Sequence, residues 1–203
     1  MNIKKVLPLL IIISVSSVLA LYMYHHRYTL TALFYQTFRE QNRAIDNFKM
    51  AIERDQGNVY AYYQLGLIYK ERKEYAKAEN IYLKLLDLAP EHPFANYDLG
   101  FIYRELKLFQ KAMRHYEKAL EIDPRNTYAL SDIGYIYKEQ GMYGKAVVQF
   151  EKVLAIEPDH KYALWDIAEV YERMGMKERA DEQYKYYHER TDCSFTKVWN
   201  CFD

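Results

Sequence analysis

A chain of 203 residues makes one domain the default, and its 28 basic residues balance 28 acidic ones, which excludes the basic excess of an ordinary nucleic-acid binder. With 7 glycines and 5 prolines the composition disfavours a turn-rich β fold and suits long helices. Half of the residues are apolar, and 22 are tyrosines.

The first element is apolar. Lys4 and Lys5 precede an uncharged run from Val6 to Tyr24. As a helix that run spans about 28 Å, close to the hydrocarbon core of a bilayer. Tyr22 and Tyr24 stand where a headgroup belt would take them. Three readings stay open: a retained single-pass anchor, a signal peptide cut after Val18-Leu19-Ala20, and the buried first helix of a soluble protein. We expect residues 1–24 to be the anchor, contacting the membrane through 6–24. Lys4 and Lys5 keep the N-terminus cytoplasmic, which puts the remainder on the periplasmic, extracytoplasmic side. Arg27 weakens that asymmetry, and secretion after cleavage at Ala20 is the alternative.

Beyond the run, the chain repeats itself every 34 residues. "LGLIYKE", "LGFIYRE" and "IGYIYKE" place Gly66, Gly100 and Gly134 in register, with Ala168 next. The blocks are 59–92, 93–126, 127–160 and 161–190, and each holds two amphipathic patterns of period 3.6. Phe109, Ala112, Tyr116, Ala119 and Leu120 share one face of such a pattern. Pro90, Pro124 and Pro158 end the second pattern of three blocks. Short connections make the two helices of a block antiparallel neighbours. Residues 25–58 carry the register weakly, in Ala32, Tyr35, Ala44, Phe48 and Ala51, with Gln56-Gly57 in place of the proline region. A helical glycine costs roughly 1 kcal/mol relative to alanine, so its recurrence points to a geometric need. We expect these glycines, with Ala78, Ala112, Ala146 and Ala180, to let helix backbones approach closely.

The Leu-Gly, Tyr, Ala, aromatic and Pro pattern at this period resembles the tetratricopeptide repeat family. The resemblance implies an all-α, right-handed solenoid of antiparallel helix pairs, here preceded by the anchor helix. It implies a binding scaffold with the first helix of each pair lining a concave groove, and no chemistry of its own. The last block departs from the pattern: Lys177 replaces Tyr75, Phe109 and Tyr143, and Tyr187 replaces Leu85, Ala119 and Val153. Its second helix is therefore expected to pack differently or to act as a terminal cap.

On the first helices a second face carries rows at the same period. One row is Tyr60, Phe94, Tyr128 and Tyr162, and the next is Tyr63, Tyr97, Ser131 and Trp165. A third is Leu67, Phe101, Tyr135 and Glu169. Lys70, Arg104 and Lys138 form a basic row that ends in Glu172, and Asp98, Asp132 and Asp166 run alongside. So many rings on one face are unusual for a solvated surface. We read them as a groove for a protein or peptide partner, with the cations as anchors for its carboxylates. The plain alternative is packing of the rings on the neighbouring repeat. The carboxylate clamp known in some relatives sets asparagines beside its lysines, and the basic row here has none. Lys77, Lys84, Lys111, Lys118, Lys145, Lys152 and Arg179 on the second helices interleave with glutamates and read as a solvated outer face.

The tail, 191–203, carries Phe195, Trp199, Cys193 and Cys201. We expect it to cap the last repeat, closed by a Cys193–Cys201 disulfide worth about 2–3 kcal/mol in an oxidising compartment, the alternatives being two free thiols in the cytosol or part of a metal site with His188. No phosphate loop, metal-ligand spacing or nucleophile elbow occurs, so no catalytic residue, metal or cofactor is assigned. The function expected is a membrane-anchored scaffold that assists assembly of an envelope or secreted complex. A self-assembling structural protein, a homo-oligomer joined through terminal helices and tail, is the rival.

Overall fold

A computed structural model describes residues 28–29 and 40–191, and among them it shows helices and no strand. Two compact units divide the chain after Pro90. The first contains α1 (Gln41–Arg54), α2 (Val59–Glu71) and α3 (Tyr75–Leu88). The second contains α4 (Ala95–Glu105), α5 (Phe109–Ile122), α6 (Thr127–Glu139), α7 (Tyr143–Ile156), α8 (Lys161–Arg173) and α9 (Lys177–Thr191). Among the described residues no helix is long and apolar enough to cross a membrane. The run 6–24, expected to be an anchor, and the tail with Cys193 and Cys201 lie outside the described residues.

The starts of the first helices and the turns inside the hairpins have local causes. The side chains of Asn58 and Asn126 accept from the N–H groups of Ala61 and Ala129, both at 3.0 Å. His92 and His160 do the same work in the intervening repeats, their Nδ1 atoms accepting from Ala95 and Ala163 at 3.2 Å. Thr29 lies buried against the first of these caps, its hydroxyl accepting from Asn58 at 3.2 Å. The turn inside each hairpin places one residue in the left-handed region: Lys73 and Lys107 at φ 58°, Gly141 at 72° and Gly175 at 73°. At Lys107 the turn closes through Lys107 N–H to Arg104 and Leu108 N–H to Tyr103, the pattern that ends many helices. Glycine takes this conformation without penalty, whereas a lysine is strained there.

In the first unit α2 pairs with α3 through Leu65, Ile68, Ala78, Tyr82 and Leu85, all buried, and α1 packs on α2. In the second unit α4–α5, α6–α7 and α8–α9 form successive hairpins, and α5 packs on α6 as α7 packs on α8. Leu130, Phe150, Val153, Ala163, Ile167 and Val170 make one continuous core there, with Leu120 and Tyr137 at its edge. The first helices also touch directly, α4 on α6 and α6 on α8.

The recurring glycines serve a purpose different from the one expected of them. A Cβ on Gly66 would lie 2.6 Å from the ring of Tyr82, one on Gly100 2.6 Å from Tyr116, and one on Gly134 2.7 Å from Phe150. The clearance therefore admits an aromatic ring from sixteen residues further along, rather than a second backbone. In the last hairpin Ala168 already carries that methyl, and the residue sixteen on, Tyr184, is only half-buried. Its ring instead meets the edge of Trp165, with centroids 5.1 Å apart. That is how α9 departs from its predecessors: Ala180 stays buried, while Tyr184 and Tyr187 turn toward Trp165.

Candidate functional site: an aromatic face on the first helices

The residues expected to line a groove fall on the first helices α2, α4, α6 and α8, with Phe94 at the cap of α4, and the structure sorts them into two sets. Phe94, Tyr128, Tyr162 and Trp165 are exposed, at 53, 66, 76 and 45 %. Such exposure is high for rings, which bury large area when they find a partner. In the first unit Tyr60 is exposed in the same way. Tyr60, Tyr128 and Tyr162 are the second residues of α2, α6 and α8, and Phe94 immediately precedes α4.

The other set is bound inside the fold. Tyr63 and Tyr97 are half-buried and lean on the second helix of their own hairpins, Tyr63 on Tyr82 at 6.2 Å and Tyr97 on Tyr116 at 5.8 Å. Tyr97 also reaches across to Tyr128, with centroids 6.1 Å apart, so it supports the exposed ring rather than duplicating it. Burial and the negative charge of Asp132 push the Tyr97 hydroxyl above the ordinary tyrosine range, so it stays a neutral donor. Ser131 interrupts the row that Tyr97 and Trp165 continue, and its hydroxyl is buried. Lys70 is half-buried on α2.

The two cations of the second unit join neighbouring repeats. Arg104 donates to Asp132 at 2.7 Å and reaches Glu105 at 3.0 Å. Its guanidinium lies over the rings of Phe101 and Tyr135, at 4.8 and 5.4 Å from their centroids. The other oxygen of Asp132 accepts from the Tyr116 hydroxyl at 2.7 Å. Burial pushes the Asp132 carboxyl up, against the opposing pull of Arg104 and the phenol. Burial pushes Tyr116 up strongly, with Asp132 adding to it. Lys138, 5 % exposed, donates to Asp166 at 2.5 Å and to Glu169 at 2.8 Å. Arg173 binds the other oxygen of Glu169 at 2.6 Å, so two cations and two carboxylates balance. Burial alone would raise Glu169, but Lys138 and Arg173 hold it below its ordinary value.

Sequence reading named the basic and the acidic row and did not join them. Arg104 to Asp132 and Lys138 to Asp166 are each 28 residues apart, one period less six. The constant offset between the two rows was the signal. What the structure brings together is thus an exposed strip of rings, with an ion-pair ladder holding the helices beneath it.

The comparisons agree on the architecture. The family descriptions "Tetratricopeptide repeat" match residues 57–125 and 162–190, and "YpiA-like, C-terminal tetratricopeptide repeats" match 93–160. No curated protein matches the sequence. Among solved structures, a crystal structure of MamA protein superposes with a TM-score of 0.78 at 22 % identity, covering 87 % of this chain and 96 % of that one. YrrB, described as a TPR protein with an unusual peptide-binding site, gives 0.69 at 24 % identity over 83 % and 87 %. PilW, described as a widely conserved type IV pilus biogenesis factor, gives 0.71 at 24 % identity over 82 % and 77 %.

Proposed function

We propose a function from one premise, that this chain belongs to the tetratricopeptide repeat family: it is a scaffold that docks a segment of a partner protein across its first helices. The observation that carries the reading is the exposed row of Phe94, Tyr128 and Tyr162 with Trp165 beside it. Tyrosine and tryptophan give large contact area at low entropic cost, and few other residues dominate interfaces as they do. Phe101, Tyr135, Arg104 and Lys138 hold the platform rather than the ligand, because both cations already meet carboxylates of this chain. The description of YrrB as peptide-binding supports docking of a peptide segment on this fold.

The place of action in this proposal is the extracytoplasmic face of the membrane, with residues 6–24 as the anchor. Lys4 and Lys5 before that apolar run support it. Assembly of an envelope or secreted complex is the role proposed, and the description of PilW in pilus biogenesis supports that direction.

Photocrosslinking in cells tests the docking reading. A photoreactive residue at Tyr128 should give a discrete adduct with another protein, and a matched probe at the exposed Lys118 on α5 should not. The same ladder from both positions, or no adduct at all, rejects docking on this face. Adducts of the chain with itself replace the scaffold by the self-assembly rival.

A further inference from the structure

Two rings of the exposed row stand beside a titratable cap. Phe94 follows His92 by two residues, and Tyr162 follows His160 in the same way. Each histidine has two contacts at once. Its Nδ1 accepts from an N–H of the first turn, Ala95 at α4 and Ala163 at α8, both at 3.2 Å. Its ring also meets the exposed ring edge to face, with centroids 6.3 Å apart for His92 and Phe94 and 6.1 Å for His160 and Tyr162. Both histidines are half-buried. In the other two repeats Asn58 and Asn126 cap α2 and α6 with an amide that does not titrate, and Tyr60 and Tyr128 follow them at the same interval.

We propose that His92 and His160 make the docking face pH-sensitive: neutral, they hold Phe94 and Tyr162 in place for a partner, and protonated, they release them. This deepens the docking reading above and rests on it. An Nδ1 that carries a proton has no lone pair for the N–H of Ala95 or Ala163. The charge gained also sits at the positive end of a helix, where a cation is unfavourable. Without its cap the first turn frays, and the exposed ring stands at that turn. Carboxylates pull the other way. Asp98 acts on His92 and Asp166 on His160, each six residues further on and each favouring the charged ring. At His92 burial outweighs Asp98. Asp166 is already engaged by Lys138. The other charges around His160 balance or are occupied: Asp159 and Lys161 flank it, α9 brings Arg190 onto Asp159, and Glu157 accepts from Thr127 of α6. Glu91 flanks His92. Since only the neutral ring can cap, docking is complete above the ordinary histidine range and is lost as pH falls through it.

Amide hydrogen exchange on the full-length chain tests the switch. Between about pH 7.5 and about pH 5, protection of Ala95 and Ala163 should fall at least about threefold, while Ala61 and Ala129 behind their asparagine caps stay unchanged. The partner is followed with a photoreactive residue at Tyr128 in permeabilised cells buffered at the same two values. Adduct yield should fall at least about threefold on acidification, and a His92→Asn, His160→Asn double variant of unchanged helicity should hold it. Unchanged protection at Ala95 and Ala163 overturns the switch, as does an acid loss of adduct that persists in the double variant. Equal adduct yield at both values removes the switch and leaves docking standing. No adduct at either value removes docking and the switch with it.

Discussion

The two junctions inside the second unit use one register and different chemistry. Between α4 and α6, Arg104 is stacked between Phe101 and Tyr135 and shares Asp132 with the phenol of Tyr116. Between α6 and α8, Phe150 stands where Tyr116 did and brings no hydroxyl, and Glu169 stands where Tyr135 did. The carboxylate of Glu169 takes the place of the lost polar partner, and Lys138 is held between it and Asp166. A forked guanidinium suits the junction with flat aromatic neighbours, and a point-like ammonium suits the one with two carboxylates. The fold fixes where a cation must reach the next repeat. Which partners satisfy that cation is decided locally, several residues at a time.

The comparison breaks most sharply at the aspartates. Asp132→Ala leaves Arg104 under its rings with only Glu105 and orphans the Tyr116 hydroxyl, and should cost about 3 kcal/mol. Asp166→Ala leaves Lys138 its bond to Glu169 and should cost about half of that. Urea unfolding at constant slope reads both; equal losses would mean that the two junctions are energetically alike. A smaller contrast lies in the glycines. Gly100→Ala drives a methyl into the Tyr116 ring, whose hydroxyl is tethered to Asp132, and should cost about 2 kcal/mol. Gly134→Ala meets the untethered ring of Phe150 and should cost nearer ~1 kcal/mol, both read as thermal midpoints. A neutral Gly100→Ala would show that the ring has room to move. The smallest effect is in pH. Burial holds His92 below the ordinary histidine range, although Asp98 pulls the other way, and its Nδ1 must be unprotonated to accept from Ala95. The neutral form is favoured on folding, so this contribution is complete above the ordinary histidine pKa and is lost as pH falls through the lowered folded value. His92→Asn keeps the cap and should flatten that part of the stability profile, by less than ~1 kcal/mol. An unchanged profile would remove His92 from the acid response.

Much of this architecture was legible as a repeat. Leu99, Gly100, Tyr103, Ala112 and Tyr116 announce a hairpin because they recur in register, and all are buried. The glycine was noticed and misread, since the ring it admits sits on another helix and no pattern within α4 points to it. The aromatic face was legible as rows but not as two classes. Tyr97 and Tyr128 belong to neighbouring rows of one face, yet Tyr97 is half-buried against Tyr116 and Tyr128 is 66 % exposed. Arg104 and Lys138 were read as anchors for a ligand. In the structure both meet carboxylates one hairpin away, and sequence periodicity counts residues within a helix rather than distances between helices. The left-handed turn positions passed unnoticed because Lys73 and Lys107 are poor residues for them, and only Gly141 and Gly175 carry a readable cue.

The ladder of cations has a consequence for how such a chain can lengthen or shorten. The α4–α5 and α6–α7 hairpins each leave a positive group whose counterion belongs to the next, so the 34-residue unit is not self-contained. Deleting α6–α7 joins Arg104 to a repeat carrying Asp166 and Glu169, a set built for an ammonium and lacking Tyr135. Duplicating α8–α9 would set Glu172, the first acidic member of the cationic row, against another Asp166. Glu172 thus works as a stop mark in the repeat grammar: copies can be inserted before it, and a copy added after it meets like charge.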